Sequence, residues 1–168
     1  MPQAAGRWLP WVGSIVRLVV GAVWIVAGAI KLPDPAESVR AVRAYELLPE
    51  TIVPTIGHGL PFLEIAIGLL LVIGLGTRIA AGVSAVLFVL FIIGIGSAWA
   101  RGLQIDCGCF GGGGFDADAT SKYPWEIARD VGLLVGSLLL VRWPHTRISL
   151  DGWLVGPSPE SGVTTSGD

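Results

Sequence analysis

Hydrophobic positions in this chain gather into four long runs separated by polar or glycine-rich breaks. The first extends from Trp11 to Leu32 and is interrupted near its start by Arg17. The second, Ile52 to Leu75, contains His58 and Glu64; the third, Ile79 to Ala100, has no charge. The fourth, Trp125 to Trp143, is polar for its first turn and a half and then apolar from Val131 to Val141. A helix that crosses a bilayer needs about 20 residues, within a range of roughly 17 to 25. The first three runs meet that length. The fourth meets it provided that Glu126, Arg129 and Asp130 lie near the interface or face protein. Between the first two runs, Asp34-Pro35-Ala36-Glu37 reads as an N-cap, a proline at the first helical position and an acid three residues after the cap. Val39, Val42, Tyr45 and Leu48 recur on one side of the following stretch, opposite Arg40, Arg43 and Glu46, and Pro49 ends it. This predicts a short amphipathic helix lying on the membrane face. The expected fold is all-α, an integral membrane four-helix bundle with that interfacial helix between the first and second spans.

Composition sharpens this picture. The 168 residues suffice for one domain, 52% are hydrophobic and 14% are charged, and the mean hydropathy is +0.70. A soluble domain carries about 25% charged residues, so the chain is short of water-facing surface and its solvent is expected to be the lipid bilayer. The net charge of -2 and the lack of any basic run exclude a nucleic-acid footprint. Trp11, Trp99, Trp125 and Trp143 fall at predicted span ends, where amphipathic rings favour the headgroup level; Trp24 falls inside a span and is expected to pack between helices or against lipid. Arg7 and Ala27-Gly28-Ala29 offer the rival reading of a cleaved signal peptide. Three further spans follow, however, and the run is long for a signal core, so it reads as a retained helix. The expected division is a cytoplasmic tail over 1–10, a membrane domain over 11–143 and a C-terminal tail over 144–168, disordered from Gly156 onward. Gly132 and Gly136 form a small-xxx-small pair suited to close helix approach.

Charge alone does not orient the chain. Arg7, Arg17, Arg78, Arg142 and Arg147 fall on one face; Lys31, Arg40, Arg43, Arg101, Lys122 and Arg129 fall on the other. An even number of spans puts both termini on one side, and a complete hairpin puts the amphipathic helix on the same side as the loop after the third span.

That loop holds the only two cysteines, in the stretch Asp106-Cys107-Gly108-Cys109-Phe110-Gly111. The thiolate is the reactive species, and a neighbouring cation or helix N-terminus favours it. Residues two apart can fall within the Cα separation of roughly 4.4–6.8 Å that a disulfide needs. So small a ring is strained and therefore oxidising, and it restricts the unfolded chain little. A redox pair fits better than a structural staple. Metal ligation is the second reading, although His58 and His145 are the only histidines and fall on opposite faces. An inert pair is the third. A persistent disulfide needs an oxidising compartment, which places the loop outside the cytoplasm and both termini inside, in the plasma membrane.

Several motifs occur in a fixed order. They are Gly21-Ala-Val-Trp24-Ile-Val-Ala-Gly28-Ala-Ile-Lys31-Leu32-Pro-Asp34-Pro35, then Tyr45-Glu-Leu-Leu-Pro49, then Pro61-Phe-Leu-Glu64-Ile-Ala-Ile-Gly68, the Cys-x-Cys-Phe-Gly loop, and Arg129-Asp130. Together they resemble the MauE branch of the DoxX-like membrane proteins, over roughly Trp11 to Trp143. The resemblance implies a four-helix membrane bundle with cytoplasmic termini. It also implies work with a thioredoxin-like partner in making the disulfide-rich small subunit of methylamine dehydrogenase outside the cytoplasm. Thiol–disulfide traffic at the membrane face is the part that transfers.

The expected site residues are therefore Cys107 and Cys109, supported by Glu64, Lys31, Arg129, Asp130 and His58. A carboxylate inside a span is costly and is functional or paired. Glu64 thus reads as a proton relay, a quinone contact, or a structural partner of Lys31 or Arg129. Lys31 pairs with Glu64, favours a thiolate, or snorkels to headgroups. Arg129, with Asp130, is the candidate cation beside the thiols or an interface anchor. His58 is a proton shuttle or a helix-end contact. A thiol–disulfide relay leads, with a membrane quinone as the candidate source of oxidising equivalents, although no residue demonstrates a quinone site. A non-enzymatic scaffold for a redox enzyme and a metal-handling protein are the alternatives.

Overall fold

The computed structural model describes residues 5–109 and 111–143. The C-terminal tail expected over 144–168, His145 and Phe110 lie outside the described residues. Five helices follow in order: α1 (Ala5–Lys31), α2 (Pro35–Ala44), α3 (Val53–Ile73), α4 (Thr77–Ala100) and α5 (Ala119–Arg142). No strand occurs among the described residues, only two isolated bridges in the loop after α4. Three segments are long and apolar enough to cross a membrane: Trp11–Lys31, Val53–Ile73 and Thr77–Ala100. Their outward faces carry large apolar side chains, with Phe62 65% and Ile79 76% exposed, a surface that water would penalise.

The long helices pack in pairs, α1 along α3 and α4 along α5, with α1 also meeting α5 and α3 meeting α4. The α3–α4 turn is tight because Gly74 and Gly76 both take left-handed backbone, at φ 77° and 57°. Trp24 is buried between helices, its ring 4.7 Å from that of Phe88. Its indole N–H donates to Ser84 Oγ at 2.6 Å, and Ser84 and Ser137 hydroxyls share a hydrogen bond at 3.1 Å. These bonds tie α1, α4 and α5 together through otherwise costly buried polar groups.

Close helix approach falls elsewhere than the Gly132–Gly136 pair predicts. A β-carbon on Gly68 would sit 2.7 Å from Gly21 O, and one on Gly28 2.7 Å from Pro61 O. The α1 and α3 backbones are therefore in contact at these glycines. A β-carbon on Gly136 would meet Val16 at 3.0 Å, but Gly132 faces open space. Spacing alone does not say which face of a helix meets a neighbour.

The Asp34 cap forms as predicted: its carboxylate accepts from Glu37 N–H at 3.2 Å, and Pro35 opens α2. The helix stops at Ala44 rather than continuing to Pro49. Glu46 takes left-handed backbone at φ 51°, and the Tyr45 carbonyl accepts from the Arg101 guanidinium instead of closing another turn. The buried face of α2 is Ser38, Val39 and Ala41, while Leu48 is exposed. The predicted stripe is rotated because α2 packs between two partners. Val39 lies against Gly57 of α3, and Ala41 lies against the cysteine loop.

Candidate functional site

The loop between α4 and α5 owes its shape to cross-chain hydrogen bonds and one tyrosine. Asp106 N–H donates to Gly114 O at 3.0 Å and Asp116 N–H to Gln104 O at 2.9 Å, flanking the antiparallel bridge between Ile105 and Phe115. Tyr123, buried in α5, accepts from Ile105 N–H at 3.2 Å. Its hydroxyl proton reaches Leu103 O at 2.9 Å or Ile105 O at 3.0 Å. The Asp106 carboxylate accepts from Gly108 N–H at 2.8 Å, tightening the turn on which the cysteines sit.

Helix α2 forms the floor of this loop. A β-carbon on Gly108 would lie 2.5 Å from Ala41 Cβ, and Gly108 has φ 67°, so both space and backbone require glycine there. A β-carbon on Gly113 would lie 2.7 Å from Glu37 O. Just past α2, the Tyr45 hydroxyl donates to Cys107 O at 2.9 Å. Burial and the nearby thiols push the Tyr45 phenol well above its ordinary range, so it acts as a neutral donor.

Both cysteines are thiols, Cys107 half-buried and Cys109 buried. Cys109 N–H points at Cys107 Sγ at 3.4 Å. Hydrogen bonding to Cys109, followed by burial, pushes the Cys107 thiol well above the ordinary cysteine range. The Glu126 carboxyl lies near the Cys107 thiol, and the positive charge of Arg129 acts on both sulfurs.

Below the loop, a cavity of about 10 Å³ is lined by Cys109, Glu64, Arg129, Asp130 and a largely apolar wall that includes Trp24 and Ala27. Lys31 Nζ donates to Glu64 Oε1 at 2.6 Å, with the two side chains 3% and 0% exposed, and the ammonium lies 6.0 Å from the Phe91 ring centroid. The snorkelling reading of Lys31 is thereby overturned: a buried carboxylate draws the ammonium inward. Arg129 pairs with Asp130 at 2.8 Å, not with Glu64. The structure thus gathers Cys109, Glu64, Arg129 and Asp130 around one cavity, with Lys31 behind Glu64. His58 stands apart, exposed, its Nδ1 2.7 Å from Pro54 O in its own helix. Among the described residues, no three His, Cys, Asp or Glu side chains are grouped closely enough to hold a metal ion.

Residues 9–143, which include every one of these side chains, match the family described as Methylamine utilisation protein MauE. The chain belongs to the MauE family. Two relatives named Methylamine utilization protein MauE align with it. The protein of Methylophilus methylotrophus is 36% identical over 101 residues, 60% of this chain and 53% of that protein. The protein of Methylorubrum extorquens is 32% identical over 155 residues, 91% of this chain and 75% of that protein. The aligned region thus spans about half the length of the first MauE relative. No solved structure matches the chain.

Two residues of this MauE-family site escape the sequence-based selection. Tyr45 reads as one more apolar position of an amphipathic stripe, and Glu126 as one of the charges opening the fourth run. Tyr45-Glu-Leu-Leu-Pro49 belongs to the ordered motifs, and that membership was the available signal for Tyr45. Glu126 lies one helical turn before Asp130, so both fall on the face turned to the loop.

Proposed function

We propose that this MauE-family protein is a membrane thiol–disulfide relay in which Cys107 and Cys109 exchange a disulfide with a thioredoxin-like protein outside the cytoplasm. The observation that carries this reading is the pairing of a half-buried sulfur with a buried one, in a loop clamped to α2 and backed by buried acid–base groups. The membrane arrangement belongs to the same proposal. Helices α1, α3, α4 and α5 are the four spans, α2 lies in the outer interface, and both termini are cytoplasmic. Burial of Asp130 at 1% exposure supports α5 as a span, because its charges turn toward protein. The name of both relatives, methylamine utilization, supplies the metabolic context of the proposal.

The exchange starts at Cys107, the more accessible sulfur. A partner thiolate attacks Cys107 Sγ of the oxidised pair, the Cys107–Cys109 bond breaks, and Cys109 leaves with the electron pair. The partner's second thiolate then attacks the mixed disulfide and releases Cys107. The partner loses two electrons, and the pair gains two electrons and two protons. A membrane quinone, the co-oxidant in this reading, takes both back and becomes a quinol.

Thiol trapping in intact cells with a membrane-impermeant maleimide tests the reading. The expected result is labelling only after external reduction, together with loss of client oxidation in the Cys107→Ser/Cys109→Ser double variant while the thioredoxin-like partner still co-purifies. Unchanged client oxidation in the double variant would instead make the protein a scaffold. Labelling that appears only after lysis and denaturation would place the loop inside the cell or bury it.

A further inference from the structure

Glu64 and Asp130 approach the cavity in the same chemical state. Each gives one carboxylate oxygen to a cation, Glu64 Oε1 to the buried Lys31 and Asp130 Oδ1 to the partly buried Arg129. Each keeps its other oxygen, Glu64 Oε2 and Asp130 Oδ2, buried and without a hydrogen-bond partner among the described residues. Both residues are at most 1% exposed, and buried carboxylate oxygens are rarely left unbonded. Cys109 lines the same cavity. Its volume, about 10 Å³, is that of a single water, which is stable where it finds two to four polar partners.

We infer that this cavity is a proton-transfer site in which one water donates to Glu64 Oε2 and Asp130 Oδ2 and accepts from the Cys109 thiol. The inference rests on the relay reading only in making Cys109 a thiol that must lose its proton. The step balances without a further reactant. The Cys109 S–H bond breaks, its proton passes to the water, and the water gives one of its own to a carboxylate. The sulfur becomes a thiolate and the acid becomes neutral.

Charge explains why the proton stays inside. Lys31 and Arg129 against Glu64 and Asp130 sum to zero. Moving a proton from sulfur to carboxylate keeps that sum, whereas releasing it to bulk water leaves an uncompensated buried negative charge, which is costly. The charged and titratable groups lining the cavity are Glu64 from α3, Arg129 and Asp130 from α5 and Cys109 from the loop, with Lys31 of α1 paired to Glu64. Around the adjoining loop, outside the lining, Glu126 of α5, Asp106, Cys107 and Tyr45 act on these groups. Helix α4 contributes the rings of Phe88 and Phe91.

The test is the pH profile of Cys109 alkylation by iodoacetamide, measured on the full chain in lipid nanodiscs with Cys107→Ser as parent. Normalising each rate to its own alkaline plateau removes changes in access. Asp130→Asn and Glu64→Gln should each lower the normalised rate at neutral pH by about a hundredfold, the low end of what a positioned proton acceptor contributes. Ala27→Val fills the cavity without touching an ion pair and should reproduce the fall. A normalised neutral rate equal to the parent's in Asp130→Asn and Glu64→Gln overturns the inference. So does a fall in those variants with none in Ala27→Val, which would remove the water. Should the carboxylate variants fail to fold, Ala27→Val alone decides. Failure of the cysteines to form a disulfide in cells would sink the relay and leave this profile to be judged on its own.

Discussion

Lys31 Nζ and Glu64 Oε1 lie 2.6 Å apart, at 3% and 0% exposure. One comes from the last residue of α1 and the other from the middle of α3. The pair joins two helices whose backbones already touch at Gly21, Gly28 and Gly68.

Removing one member of such a pair strands the other charge. Glu64→Gln should destabilise the protein by about 3–5 kcal/mol, the usual cost of leaving a buried partner unpaired. A Lys31→Met/Glu64→Met double variant should recover most of that loss. Equilibrium unfolding in mixed micelles measures both. Equal losses in the single and double variants would mean that the pair's partner is elsewhere.

The floor of the cysteine loop yields a size-swap prediction. Gly108→Ala drives a β-carbon against Ala41 and also imposes left-handed backbone on alanine, the latter costing about 1–2 kcal/mol. Adding Ala41→Gly relieves only the contact. The double variant should therefore recover part of the loop's protection in amide hydrogen exchange, and never all of it. Full recovery would show that the backbone at residue 108 had relaxed.

The raised Cys107 thiol fixes a pH sign. Its folded value lies above the unfolded one, so the thiol form contributes stability in full below the ordinary cysteine value of about 8.5. That contribution is lost as pH climbs from there through the folded value. The reduced protein should accordingly resist maleimide at Cys107 at pH values where a reference peptide is already labelled. Differential labelling read by mass spectrometry separates Cys107 from Cys109. A Cys107 profile that overlays the peptide's would refute the closed loop in solution.

Helix glycines divide into two classes by surroundings. Gly68→Ala, pressed against Gly21 O and Ile25, should cost about 1–3 kcal/mol through overpacking. Gly132→Ala meets nothing within 4 Å and should be neutral or stabilising by about 0.5–1 kcal/mol. Thermal unfolding of the two variants side by side tests the contrast, and a reversed order would contradict the α1–α3 contact.

The sequence was informative where the physics is local. Apolar run length marked Trp11 to Leu32, Ile52 to Leu75 and Ile79 to Ala100, close to the segments Trp11–Lys31, Val53–Ile73 and Thr77–Ala100 that are long and apolar enough to cross a membrane, because a bilayer demands that length wherever the helix sits. The Asp34 cap and Pro35 start of α2 depend on adjacent residues only and were equally visible. Burial of Glu64 followed from the cost of a carboxylate in hydrocarbon. Its partner did not follow, since Lys31 and Arg129 were equally available cations and only helix packing separates them. The same holds for Tyr45 and Glu126 beside Cys107, for the early end of α2, and for Gly132 facing open space. Each depends on a neighbour distant in the chain. In the cysteine loop, glycines and turns leave no periodicity from which to read a contact.

The floor on which Cys107 and Cys109 rest belongs to α2, and α2 is held by α3; both lie in the first half of the chain. Chains emerge N-terminus first. The surface that receives the sulfurs is therefore made before the sulfurs are. The two thiols arrive late, side by side, at a seat shaped to the width of a glycine, and the turn that carries them settles against a helix made before either cysteine.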